Sequence, residues 1–147
     1  MSPLEQVRSD LTRTLTAWSL ASIAVGAVLA VRGGRGDGDE RAAGVARQCL
    51  TWGGIDLAIA GIGVLGQRGP VLDRPAATAS LRRLLLVNAA LDVGYVAAGV
   101  ALLRAGRVRG RDSVGDGSAV VVQGAFLLGL DLVSANRLGT GGRTTPS

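Results

Sequence analysis

Apolar residues in this chain do not alternate with polar ones at strand or amphipathic-helix spacing. They gather in four continuous runs. The runs cover residues 15–31, 49–66, 84–103 and 118–135, each 17 to 20 residues long. As helices at 1.5 Å rise per residue they reach about 26 to 30 Å, enough for a bilayer core. Between them lie segments rich in Gly, Arg and Asp, such as residues 32–48 and 104–117. Helix starts are expected near Asp39, near Pro75 after Asp73, and at Ser118, where an Asp or Ser cap or a Pro marks an N-terminus. Helices two and three then begin in the loops and project past the membrane surface. The expected fold class is all-α, a four-transmembrane-helix bundle forming one integral membrane domain over residues 1–147.

The first run also has features of a cleavable secretory signal, with Arg8 and Arg13 ahead of it and Val28-Leu29-Ala30 as a cleavage-like site. Such apolar segments usually run about 7–15 residues, shorter than this one, so four spans is the expected count.

Composition strengthens this picture. The chain is 48% hydrophobic and 18% charged, against about 25% charged in ordinary soluble domains. All 16 basic residues are arginine, and histidine is absent. That excludes a histidine haem ligand, a histidine zinc site and a serine–histidine catalytic pair. The single Cys49 makes neither an internal disulfide nor a Cys-x-x-Cys site. No nucleophile–base pair or metal-ligand set is visible, so neither an enzyme nor a bound cofactor is expected.

The net charge of +5 comes from arginines between the runs, where lipid headgroup phosphates are the nearer partner. With no nucleic-acid motif beside them, the bilayer rather than nucleic acid is the expected partner. The location expected is the cell membrane, as a multi-pass protein. Eight arginines fall on each side of the four spans, so the positive-inside rule assigns no orientation. The lack of lysine beside abundant Ala, Gly, Val and Arg suggests a GC-rich bacterial genome.

Three aspartates interrupt the runs: Asp56, Asp92 and Asp131. Each costs about 2.5–3.5 kcal/mol at the centre of a membrane helix, so the acids must face inward, find partners or hold protons. At 100° per residue, Asn88, Asp92, Tyr95 and Gly99 share an arc of about 60°. Trp52, Asp56 and Gly63 share the equivalent arc on the second helix, and Gln123, Asp131 and Ser134 one of about 80° on the fourth. Depth counted from the ends of the runs predicts two polar layers. Asp56, Tyr95 and Gln123 form one, and Asp92 with Asp131, flanked by Asn88 and Ser134, the other. The candidate site is thus Asp56, Asn88, Asp92, Tyr95, Gln123 and Asp131.

Small residues recur at fourfold spacing in Ser22-x-x-x-Gly26-x-x-x-Ala30, Gly54-x-x-x-Ala58, Ala90-x-x-x-Gly94-x-x-x-Ala98 and Ala125-x-x-x-Gly129. On helices two and three the stripes lie opposite the polar arc, which implies tight packing within the bundle or self-association. Trp18 and Trp52, each the fourth residue of its run, read as interface anchors. Asp37-Gly38-Asp39-Glu40 lacks calcium-loop spacing and reads as a solvated turn. The glycine-rich residues 32–38 lack the Gly-Lys-Ser/Thr ending of a phosphate loop.

The segments VNAALDVGYVAAGV and VVVQGAFLLGLD, and more loosely TWGGIDLAIAGIGVLG, resemble an uncharacterised bacterial family of small four-helix integral membrane proteins. The likeness covers the second to fourth helices and implies this architecture but no activity. An asparagine is usual in that family at the position of Asp56, so Asp56 is the acid the resemblance supports least. The first functional expectation is a structural or interaction role, with buried neutral acids as interhelical glue. The alternative is a proton- or cation-coupled transporter or channel component using Asp56, Asp92 and Asp131.

Overall fold

The computed structural model describes residues 2–33, 39–66, 74–109 and 111–140, all but the caps within four helices. These are α1 (Pro3–Arg32), α2 (Glu40–Gly66), α3 (Arg74–Arg109) and α4 (Arg111–Thr140). No strand occurs among the described residues. All four helices are long and apolar enough to cross a membrane. Asp37 and the glycine-rich residues 34–38 lie outside the described residues.

Local signals set the helix starts. Ser2 caps α1 by accepting from the Glu5 backbone N–H at 3.3 Å, while the Glu5 carboxylate accepts from the Ser2 N–H at 2.7 Å. This reciprocal capping box precedes Pro3, whose missing N–H costs nothing in the first turn. Asp39 receives the Arg41 N–H on its side chain at 3.1 Å, opening α2 where the sequence places it. Pro75 lies in the first turn of α3. The fourth helix starts at Arg111, two turns before the expected Ser118. Ser118 instead lies inside it, its hydroxyl turned onto the Gly115 carbonyl at 2.8 Å.

The helices pack as two hairpins, α1 with α2 and α3 with α4, joined chiefly through α4 against α2. The second and third helices barely touch. Glycines allow the close contacts within each hairpin. A Cβ on Gly53 would stand 2.8 Å from Ile23 Cγ1 and 3.0 Å from the Ser19 carbonyl oxygen. One on Gly117 would stand 2.8 Å from the Gly99 carbonyl oxygen. Of the glycines in the predicted small-residue stripes, Gly26 alone makes such an approach. Gly54, Gly94 and Gly129 face open space.

Cross-helix contacts also fix the register. At one end Arg8 donates to the Gly66 carbonyl at 3.0 Å and Arg137 to Asp10 at 2.8 Å. At the other end Arg47 pairs with Asp116, and Gly26 lies against Ala46, Cys49 and Leu50. The stretch of α1 alongside its neighbours is therefore about residues 10–26, more than a turn earlier than the apolar run alone implies. Leu4 and Val7 continue below it into a cluster with Leu85, Ala135 and Leu138.

Burial is inverted relative to a water-soluble bundle. Ser19, Asp56, Asp92, Gln123, Asp131 and Ser134 are buried, whereas Ile62 is 69% exposed and Leu91 58%. Polar side chains inside and bare aliphatics outside suit a hydrocarbon surround.

Gly117→Leu should therefore disrupt the α3–α4 contact by about 1–3 kcal/mol or more, the usual cost of overpacking. Gly94→Ala, with open space at that position, should leave stability unchanged within error. Thermal unfolding of both variants in one detergent checks the contrast.

Candidate functional site

Between the two hairpins, where α2 and α3 part, lies a cavity of about 530 Å³. All four helices contribute to it. Asp56 and Trp52 come from α2, Asn88, Asp92 and Tyr95 from α3, and Asp131 from α4, while α1 supplies Arg8 at one end. Apart from Thr12 and Gly63 the rest of the wall is aliphatic, including Ile55, Ile59, Leu84 and Leu91. Five of the six candidate residues named from sequence thus line one space. The sixth, Gln123, is 6% exposed and stands behind Asp56.

The polar groups are connected in two chains. Trp18 Nε1 donates to Gln123 Oε1 at 2.6 Å, and Gln123 Nε2 donates in turn to Asp56 Oδ2. The Trp18 ring stacks on Phe126 at a centroid distance of 3.9 Å and 9° between planes, which fixes the direction of its N–H. The second chain starts at Asp116, which accepts from Arg47 and, at 3.1 Å, from Gln48 Nε2. Gln48 Oε1 accepts from Trp52 Nε1 at 3.1 Å. Trp52 then meets Tyr95 edge to face, 5.2 Å between centroids at 76°.

The Asn88 side chain lies near enough to Asp131 to interact with its carboxyl group. Asp92 lies between, close enough to feel the charge of both Asp56 and Asp131. The expected groupings, Asp56 with Gln123 and Asp131 with Asp92 and Asn88, adjoin through Asp92 to make one string. Asp56 has Gln123, and Asp131 has Asn88. Asp92 is 4% exposed, and its Oδ2 is the one buried side-chain oxygen or nitrogen among the described residues with no hydrogen-bond partner. Tyr95 does not reach Asp56 or Gln123 as a bonding partner but faces Trp52. Ser134 is buried at 5%, outside the cavity wall.

Of the two tryptophans, Trp18 departs from the sequence reading. Trp18 sits midway between Asp10 and Gly26, about 12 Å from each end marker, and its ring joins the buried network. Trp52 is part of the cavity wall. A neutral amide accepting from an indole at one end and donating to a carboxylate at the other leaves little freedom for Asp56. The arrangement at Asp92 is different, with carboxylate oxygen, space and no donor.

The chain belongs to the DUF6992 family, a family of unknown function, whose model matches residues 14–132. That match contains all four apolar runs up to Leu132 and every residue of the cavity string. No curated protein and no solved structure matches the chain.

Gln123→Leu should strip Asp56 Oδ2 of its donor and destabilise the bundle by about 1–3 kcal/mol, the cost of orphaning a buried polar group. Asp56→Leu combined with Gln123→Leu should recover much of that loss, because both partners are then apolar. A double-mutant cycle from denaturation in lipid or detergent measures the coupling.

Proposed function

We propose that this is a multi-pass protein of the cell membrane that takes up a proton or small cation at Asp92, as a transporter or channel component. The observation that carries the reading is the buried, unpartnered Oδ2 of Asp92 on the wall of a cavity. Leaving such an atom unsatisfied costs about 1–3 kcal/mol, so the site calls for a proton, a water or a ligand. An ionisable residue at mid-depth in a membrane helix is expensive and by default functional. Asp56 from α2 and Asp131 from α4 flank it, Tyr95 lies one turn along α3, and Arg8 of α1 stands at the end of the cavity. These are the charged or titratable neighbours that would set its proton affinity.

Interhelical glue describes the other two acids. Gln123 gives Asp56 the bond that such a role requires, and Asn88 is the polar neighbour of Asp131. The two roles therefore divide among the three residues rather than compete for all of them. The reading is one of binding and passage, with no covalent step.

Infrared spectroscopy of the protein in lipid tests it through the protonated-carboxyl band. The band should change with pH across the neutral range or on adding a cation, and Asp92→Asn should remove the responsive component. A band indifferent to pH and cations would return all three acids to the role of glue. Asp92→Asn should fold nearly as well as wild type, with a circular dichroism melt within a few degrees.

A further inference from the structure

The dimensions and lining of the cavity point to a ligand larger than an inorganic ion. Its volume of about 530 Å³ falls within the range of about 300–1,000 Å³ typical of small-molecule sites. Such sites combine mostly apolar walls with a few placed polar groups, as here. The three carboxyl groups are strung along the cavity. Among the described residues no three acidic or other ligating side chains are grouped so as to hold a metal ion.

The cavity also has an open side. Ile55, Ile59, Leu84 and Leu91 line it and are 43%, 53%, 55% and 58% exposed. They sit on α2 and α3, the neighbouring helices that barely touch. In a membrane this gap faces the acyl chains, so a molecule dissolved in the bilayer reaches the acids without crossing water.

The charge of the lining selects the ligand. Asp92 offers a buried acceptor without a donor, with Asp56 and Asp131 on either side. Trp52 and Tyr95 form an aromatic corner of the same space, and aromatic faces attract cations. Arg8, the one base in the lining, has its guanidinium on the Gly66 carbonyl at the cavity end.

Building on the proton or cation reading above, we propose that the cavity binds hydrophobic organic cations. These would be amines or quaternary onium ions with an apolar body, entering sideways between α2 and α3 and seating their charge against Asp92.

The test uses the full chain in nanodiscs of zwitterionic phosphatidylcholine, with tetraphenylphosphonium as probe and tetraphenylborate, of matched size and opposite charge, as comparator. Equilibrium dialysis should show saturable cation binding above empty discs and no saturable binding of the anion. Asp92→Asn should weaken it by about 30-fold or more, as expected for removing one partner of a buried charge pair. Ile59→Trp, which narrows the open side without touching an acid, should weaken it too. Glu40→Gln, exposed at the start of α2, should bind as wild type.

No saturable excess over empty discs, equal binding of both ions, or wild-type affinity in Asp92→Asn would each overturn the proposal. The carboxyl band recorded on the same sample separates the two levels. A band that responds to pH or to sodium in a protein that does not bind tetraphenylphosphonium would remove the organic cation and keep the simpler reading. A silent band with no binding would remove both.

Discussion

A carboxyl group at the centre of a hydrocarbon layer costs about 2.5–3.5 kcal/mol, and this chain carries three carboxyl groups inside helices long and apolar enough to cross a membrane. That single penalty orients the bundle. The helices that bear an acid must turn it inward, and their aliphatic faces are then left outside. Asp56, Asp92 and Asp131 are all buried, while Ile62, Leu91 and Val133 are among the most exposed side chains. Helix contacts have to form around the acids, using small residues where backbones meet. The cavity is the remaining space where carboxyl groups from three helices converge without filling it.

The glycine contacts show how tightly this works. Gly53 accepts Ile23 from α1, and Gly117 meets Gly99 across α3 and α4. Each contact brings two backbones to a distance that a single methyl group would prevent. The α2–α3 pair has no comparable contact, and that is where the aliphatic-walled opening lies. Glycine also lets α4 approach α2, where Gly115 meets the Arg41 backbone, so the looseness is confined to α2 against α3.

Much of this was legible from residue order. Four apolar runs gave four helices, and 100° per residue put Asn88, Asp92 and Tyr95 on one face, the face that lines the cavity. Asp39 and Pro75 marked real helix starts. The failures share one cause, which is that axial register between helices is not encoded in any one run. Counting depth from residue 15 made Trp18 an interface anchor. The Arg8–Gly66 and Asp10–Arg137 contacts slide α1 so that Trp18 reaches Gln123. The α4 start was misplaced for a related reason. Apart from Val114, residues 111–117 are polar or glycine and carry no apolar run, yet α4 continues through them because Gly115 and Gly117 pack on α2 and α3. The glycine stripes erred by rotation: residues 54 and 94 keep the fourfold spacing, but the contacts run through Gly53 and Gly99.

The division into two hairpins has a consequence for how the protein is made. A ribosome delivers α1 and α2 first, and their contacts close without the second half of the chain. Asp56 is then already committed to the interior of a pair that holds no donor for it, since Gln123 belongs to α4. Asp131 and Asn88, by contrast, arrive together in the second pair. Because Gln123 belongs to the second hairpin and Asp56 to the first, this bond forms only when the two halves of the chain meet.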